Sequence, residues 1–210
     1  MAVTINGSNT PTAGGVTYGD GTQYATTAAG TSGQVLTSAG SSAPVWASVS
    51  SGFTYGTTVT PTGTGVVTFT GIPSTAKYIN VILSGISGDA GTVYYVRIGT
   101  SGGVETTSYQ NATSQINAST VETNGNTTRF AIGGGTSFAA ATTVNGVMQI
   151  VNLTGNTWVA SGTFGVYNSG GASTTVTTGG TKTLSGVLDR IEITAGTANF
   201  DAGSINISYI

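Results

Sequence analysis

Cysteine and histidine are both missing from this 210-residue chain, and charge is scarce: Asp, Glu, Lys and Arg make up only 6% of it, against about 25% in an ordinary soluble domain. Without His there is no imidazole base for a Ser-His-Asp or Cys-His arrangement, and without Cys there is no thiolate nucleophile or disulfide. Zinc loses both of its usual ligands. The five Lys+Arg stand singly along the chain, so no basic stripe exists to track a phosphate backbone, and nucleic acid is not an expected partner. No apolar run approaches the roughly 20 residues that cross a bilayer, and the first ten residues lack the basic and apolar regions of a signal peptide. Membrane insertion is not expected.

What the chain has instead is Gly, Ser and Thr, nearly half of all residues together, with Val, Ile, Tyr and Phe spread among them and a net charge of −2. Disorder pairs low hydrophobicity with high net charge, so part of this chain is expected to fold. Residues 1–50 carry isolated apolar residues with no lasting helical or strand period. Pieces such as Ala2-Val3-Thr4-Ile5 and Gln34-Val35-Leu36-Thr37 can each make a strand, with turns at Gly14-Gly15 and Gly19-Asp20-Gly21. The segment has too little apolar surface for a core. It is expected to be an extended attachment segment that orders against a partner, reaching on the order of 160 Å at about 3.3 Å per residue.

From residue 51 onward, apolar stretches alternate with Gly-rich turns. The pattern predicts strands at 65–70, 77–84, 93–98, 129–132, 146–153, 158–167, 186–194 and 204–209, with weaker ones at 53–60 and 174–178. In 78–83, Ile79, Val81 and Leu83 point one way. In 188–193, Ile191 and Ile193 share one face while Arg190 and Glu192 share the other, as in a strand with one wet side. Thr suits such positions because its branched Cβ favours extended backbone. No window supports a long helix. The expected fold is all-β, an antiparallel, jelly-roll-like β-sandwich over 51–210.

Charge on edge strands is the usual guard against edge-to-edge aggregation. Here no charged residue lies between Asp20 and Lys77, or between Arg129 and Lys182. Edges covered by identical neighbours meet that need, so an obligate homo-oligomer is expected.

Few residues suggest chemistry. Asp189 and Glu192 lie three apart on a strand and face opposite sides, which spoils a shared cleft. Asp89 and Glu105 sit in loops flanking one strand and form the one candidate glycosidase pair, weighed against solvated loop charges. Asp20 in its Gly-flanked turn is a candidate calcium ligand, weighed against a plain turn. Asp201 is expected to shape a bend and to pair with Arg190 or Lys182. Gly133-Gly134-Gly135 and Gly170-Gly171 lack the setting of a phosphate loop and read as loop tips. Tyr94-Tyr95 sends one ring to each sheet face. Trp158 reads as core or interface. No catalytic residue, cofactor or metal is assigned.

Several phrases carry a resemblance. Gly15-Val16-Thr17-Tyr18-Gly19-Asp20-Gly21-Thr22-Gln23-Tyr24, then Gly30-Thr31-Ser32-Gly33-Gln34-Val35-Leu36-Thr37-Ser38 and Ala43-Pro44-Val45-Trp46 resemble the N-terminal attachment regions of tail fibres and related virion proteins of tailed bacteriophages. Phe69-Thr70-Gly71-Ile72-Pro73, Arg97-Ile98-Gly99 and Gly102 to Tyr109 are similar to a β-sandwich domain of such fibres. The ending, Leu188-Asp189-Arg190-Ile191-Glu192-Ile193 and Asn199 to Ile207, is similar to that domain's last strands and is the more specific phrase. The resemblance implies a homotrimer in the virion. Its residues 1–50 would fasten to other virion proteins through Tyr18, Tyr24, Val35, Leu36 and Trp46, and its sandwich would adhere to a host surface glycan or protein without catalysis. Long fibres of this kind carry a shaft that this sequence lacks, which keeps open a short tail fibre, a baseplate component or a capsid decoration protein; a polysaccharide depolymerase is the third class. For glycan contact, rings beside amides and hydroxyls are suited. The longest expected loop, 108–126, carries them as Tyr109, Gln110, Asn111, Asn124 and Asn126, with packing against a neighbouring subunit as the alternative.

Overall fold

The computed structural model describes residues 12–49, 52–140, 142–171 and 173–210. The chain divides into two units, Met1–Gly52 and Phe53–Ile210.

The first unit is built from two hairpins: β1 (Thr17–Gly19) pairs antiparallel with β2 (Tyr24–Thr26), and β3 (Gln34–Ala39) with β4 (Ser42–Ser48). The strand expected at Gln34 to Thr37 falls in β3, and the turn expected at Gly19-Asp20-Gly21 joins β1 to β2. The chain reverses where Asp20 Oδ1 accepts from the Thr22 and Gln23 N–H groups, both at 2.8 Å, and where Gly40 takes φ +69°, a left-handed turn conformation that glycine adopts without steric cost. The Trp46 indole N–H donates to the Ala28 carbonyl at 2.8 Å, and its ring covers Gly30 so closely that a Cβ there would lie 2.6 Å from it. Among the described residues of this unit only Thr27 is buried. The strand expected at Ala2 to Ile5 lies outside the described residues.

The second unit is all-β and antiparallel. In chain order it holds β5 (Thr54–Tyr55), β6 (Val66–Phe69), β7 (Tyr78–Gly88), β8 (Tyr94–Thr100), β9 (Gly103–Val104), β10 (Tyr109–Ile116), β11 (Val121–Asn126), β12 (Phe130–Ile132), β13 (Thr143–Thr154), β14 (Thr157–Tyr167), β15 (Thr174–Thr183), β16 (Arg190–Thr194) and β17 (Phe200–Tyr209). An eight-stranded sheet runs β11-β10-β15-β14-β13-β7-β17-β5, and a five-stranded sheet runs β12-β8-β16-β6 with β9 beside β8.

Alternation supplies the two faces that meet. Ile79, Val81 and Leu83 of β7, Met148 and Ile150 of β13, and Trp158 and Phe164 of β14 point inward from the large sheet. Val96 and Ile98 of β8 with Ile191 and Ile193 of β16 point inward from the small one, and all belong to one buried cluster. Each large apolar side chain so buried contributes about 1.5–3 kcal/mol. The Tyr94 ring stacks between Phe138 and Phe200, at 6.2 and 5.8 Å between centroids.

β7 runs beyond the apolar alternation that predicts it. Gly85 (φ +62°) and Gly203 (φ +93°) lie so close that a Cβ on Gly203 would meet Gly85 backbone at 2.5 Å. The two register shifts of β17 against β7 occur around that contact, between Phe200 and Ser204, so bulges carry the pairing on to Gly88.

The largest departure is at 108–126. This stretch is a hairpin, β10 with β11, and not an exposed loop. Its inward residues are amides and hydroxyls, which hide it from a hydrophobic pattern. Asn111 donates to Thr178 Oγ1 (2.9 Å) and the Gly179 carbonyl (3.0 Å) and accepts from the Ala131 N–H (3.0 Å). Thr113 donates to the Gly133 carbonyl and Gln115 accepts from the Gly134 N–H, both at 2.9 Å. Buried polar groups are tolerable when paired in this way, and here they hold down the Gly133-Gly134-Gly135 main chain.

Candidate functional site

The two outer faces of the second unit differ in chemistry. Across β11, β10, β15, β14 and β13 the side chains that alternate outward are Thr, Ser, Ala, Gln, Asn, Val, Ile, Leu and Tyr, with glycines between, and none is charged. The charges of this sheet lie elsewhere: Lys182 is buried on the inner side, Glu122 accepts from the Thr136 hydroxyl and N–H, and Asp201 sits at the start of β17. Where the outward residues are smallest, at Ala112, Ser114, Gly125, Thr177 and Gly179, the face dips into a depression of about 560 Å³. A neighbouring dip of similar volume lies over Val147, Gln149, Ser161 and Thr163. Exposed Val121, Ile116, Val147, Val151, Val159 and Leu153 share this face.

Charge gathers instead on the outer face of the five-stranded sheet. Arg97 lies opposite Glu192, and Tyr95 opposite Thr194. Phe130 pairs with Val96, and Arg129 precedes it, just before β12 and next in sequence to Thr128, whose carbonyl Arg97 reaches. Tyr95 is 8% exposed because both guanidinium groups cover its ring, Arg97 at 4.7 Å and Arg129 at 4.6 Å from the centroid. Arg97 approaches Glu192 at 3.6 Å and donates from Nε to the Thr128 carbonyl at 3.2 Å. Arg190, on the same strand face as Glu192, reaches Asp189 at 3.3 Å and the Ser101 carbonyl at 2.7 Å.

Asp89 and Glu105 do not converge. Asp89 precedes β8 and is tied to Asn199, whereas Glu105 follows β9, which turns back along β8, and donates its N–H to the Ile98 carbonyl. That is four residues, about 13 Å at 3.3 Å each, past the start of β8 at Tyr94, while a glycosidase pair needs roughly 5–9.5 Å. Asp89 accepts the Asn199 N–H at 2.9 Å and its side-chain amide at 3.1 Å, which lowers its pKa. Glu105 binds the Lys182 ammonium at 2.5 Å and the Ser185 N–H and hydroxyl. Burial pushes its carboxyl up, but those bonds prevail and hold it below the usual value. Lys182 therefore pairs with Glu105 and Arg190 with Asp189, correcting the partners expected for Asp201, which accepts from the Ser87 hydroxyl. Asp20 takes three bonds on one oxygen from Thr22 and Gln23, all local. Among the described residues no group of three His, Cys, Asp or Glu side chains gathers as for a metal ion.

The contact set read from 108–126 is also rearranged. Tyr109 is 1% exposed, with its hydroxyl engaged by Ile98 N–H and donating toward backbone carbonyls; burial raises its pKa. Asn111 is buried as described. Asn124 donates to the Gly134 carbonyl at 3.2 Å, and the Asn126 amide nitrogen is enclosed. Of the five, Gln110 and Asn124 are exposed, Gln110 on the uncharged face. In the first unit Tyr24, Val35 and Leu36 are exposed, with Tyr18 and Trp46 partly so. Sequence reasoning missed the Arg97–Tyr95–Arg129 group; the signal available was two of the five basic residues, Arg97 and Arg129, falling in two predicted strands, 93–98 and 129–132.

Compared with known proteins, the chain matches no family model, no curated protein and no solved structure. Its function rests on the chemistry of its own surfaces.

Proposed function

We propose that this chain is a structural protein of a tailed-bacteriophage virion, a short tail fibre that adheres to the host surface as a homotrimer. The observation that carries the reading is the first unit: two hairpins that expose Val16, Tyr24, Val35, Leu36, Val45 and Val49 and bury no apolar side chain among the described residues. Such a unit gains its apolar burial from outside itself, which suits a segment that docks on other virion proteins. Residues 1–50 supply the contact with other virion proteins, through Tyr18, Tyr24, Val35, Leu36 and Trp46. The uncharged face of the large sheet supports the trimer, because docking it against a copy removes no charge from water. Adhesion then comes from repeated weak contacts around the symmetry axis.

A capsid decoration protein is the competing reading, since the same coreless unit suits a shell as well as a tail. Quantifying the protein against the major capsid protein in purified particles separates them. A few copies per particle, with adsorption lost on deletion, is the expected result. Hundreds of copies with a fragile shell on deletion would make it a decoration protein, and absence from particles would overturn both. A depolymerase has no support from the separated Asp89 and Glu105.

A further inference from the structure

We propose that Arg97 and Arg129, laid on the Tyr95 ring, form a binding site for an oxyanion carried on a saccharide, a uronate carboxylate or a phosphate ester. This goes beyond both readings above and does not depend on where the protein sits in a particle.

Like charges set opposite one another on neighbouring strands destabilise a sheet. Both guanidinium groups nevertheless lie over the one Tyr95 ring, and among the described residues the one carboxylate ion-paired to either of them is Glu192, at 3.6 Å from Arg97. That is longer than the 2.7–2.9 Å of a close charge-assisted bond, and Glu192 shares its oxygen with the Thr194 hydroxyl at 3.3 Å. Arg129 forms no ion pair with, and donates no hydrogen bond to, any described residue, and of its nitrogens only Nε is enclosed. Its two terminal nitrogens therefore stay open to solvent. The local balance is two guanidinium groups to one carboxylate.

Tyr95 makes the arrangement useful. Cation–π attraction holds each guanidinium over the ring, so the side-chain entropy that a flexible Arg loses on binding is largely lost beforehand. A planar guanidinium held in place presents parallel N–H groups, the geometry that matches the two oxygens of a carboxylate or phosphate. The surrounding Thr127 and Thr128 are exposed and offer hydroxyls for sugar oxygens. An anion between the two Arg groups would relieve their mutual repulsion.

The test is calorimetric titration of the full-length protein with three oligosaccharides of equal length, one bearing uronates, one bearing phosphate esters and one neutral. At least one acidic oligosaccharide is expected to bind tenfold or more tightly than the neutral one, and which of the two does so names the source of the oxyanion. Arg129→Gln and Arg97→Gln are each expected to weaken that binding by tenfold or more while leaving the melting temperature near that of the wild type. Arg129→Lys, which keeps the charge and loses the planar fork, is expected to fall between and serves if the Gln variant does not fold. Lys77→Gln removes a distant exposed charge and is expected to bind as the wild type. Equal affinity for acidic and neutral oligosaccharides, undiminished binding by Arg129→Gln or Arg129→Lys, or an equal loss in Lys77→Gln would overturn the proposal.

Discussion

Lys182 is the residue at which scarcity of charge matters most to stability. It is 3% exposed, sits 5.4 Å from the Tyr109 ring centroid and has Glu105 as its ion-pair partner. Removing the carboxylate leaves a buried ammonium uncompensated, a loss that typically costs about 3–5 kcal/mol. Glu105→Gln is accordingly expected to lower stability by that order at neutral pH, read by urea denaturation. The pH dependence has a definite sign. The folded pKa of Glu105 lies below its ordinary 4.5, so its contribution is complete above that value and is lost as pH falls through the folded pKa. The difference in melting temperature between wild type and Glu105→Gln is expected to shrink on acidification below about pH 4.5. A constant difference across that window would show that the ion pair is not its origin.

At the level of elements, the legible strands were those with apolar alternation. The strands expected at 77–84, 158–167 and 204–209 rest on one apolar face each and match β7, β14 and β17, the first beginning one residue before β7. The hairpin β10–β11 was illegible because its inward rungs are Asn111, Thr113 and Gln115, residues that a hydrophobic pattern assigns to solvent. Burial of these amides is made possible by backbone groups of β12 and the Gly133-Gly134-Gly135 loop, which come from elsewhere in the chain. β15 was predicted only to residue 178 because Gly179-Gly180 and Lys182 break its pattern; Gly180 is required where Gln110 and Asn111 backbone approach too closely for a Cβ. The Arg97–Tyr95–Arg129 group is illegible for a related reason, since its members become neighbours only through the pairing of β12 with β8, which brings Arg129, just before β12, over the Tyr95 ring. Asn111→Ala breaks three bonds that join β10, β15 and β12, and takes from the buried Ala131 N–H and the buried Thr178 hydroxyl the side-chain partner that each has. A loss of about 1–3 kcal/mol for each buried group left unsatisfied is expected, with faster amide exchange at Ala131 as the local signature.

For the whole molecule, the absence of charge along β10, β15, β14 and β13 acquires a spatial meaning: it marks one complete face, not a thin scatter. If copies pack through that face, a single charge at its centre is enough to disturb assembly. Ser161→Lys, exposed on β14 opposite Gln149 and Gly179, is expected to shift light scattering from trimer to monomer at micromolar concentration while leaving the circular dichroism of the fold intact. A monomeric wild type, or an unshifted variant, would remove this face from the interface.

The same separation of surfaces gives ionic strength opposite meanings on the two sides of the sandwich. At about 1 M salt the screening length falls to about 3 Å, which weakens an oxyanion held by Arg97 and Arg129. Contact between uncharged faces has no such charge to screen, and excluded salts such as sulfate strengthen apolar burial. Concentrated sulfate is thus expected to strip a bound acidic saccharide from an oligomer that stays assembled, so that adhesion could be reversed without taking the assembly apart.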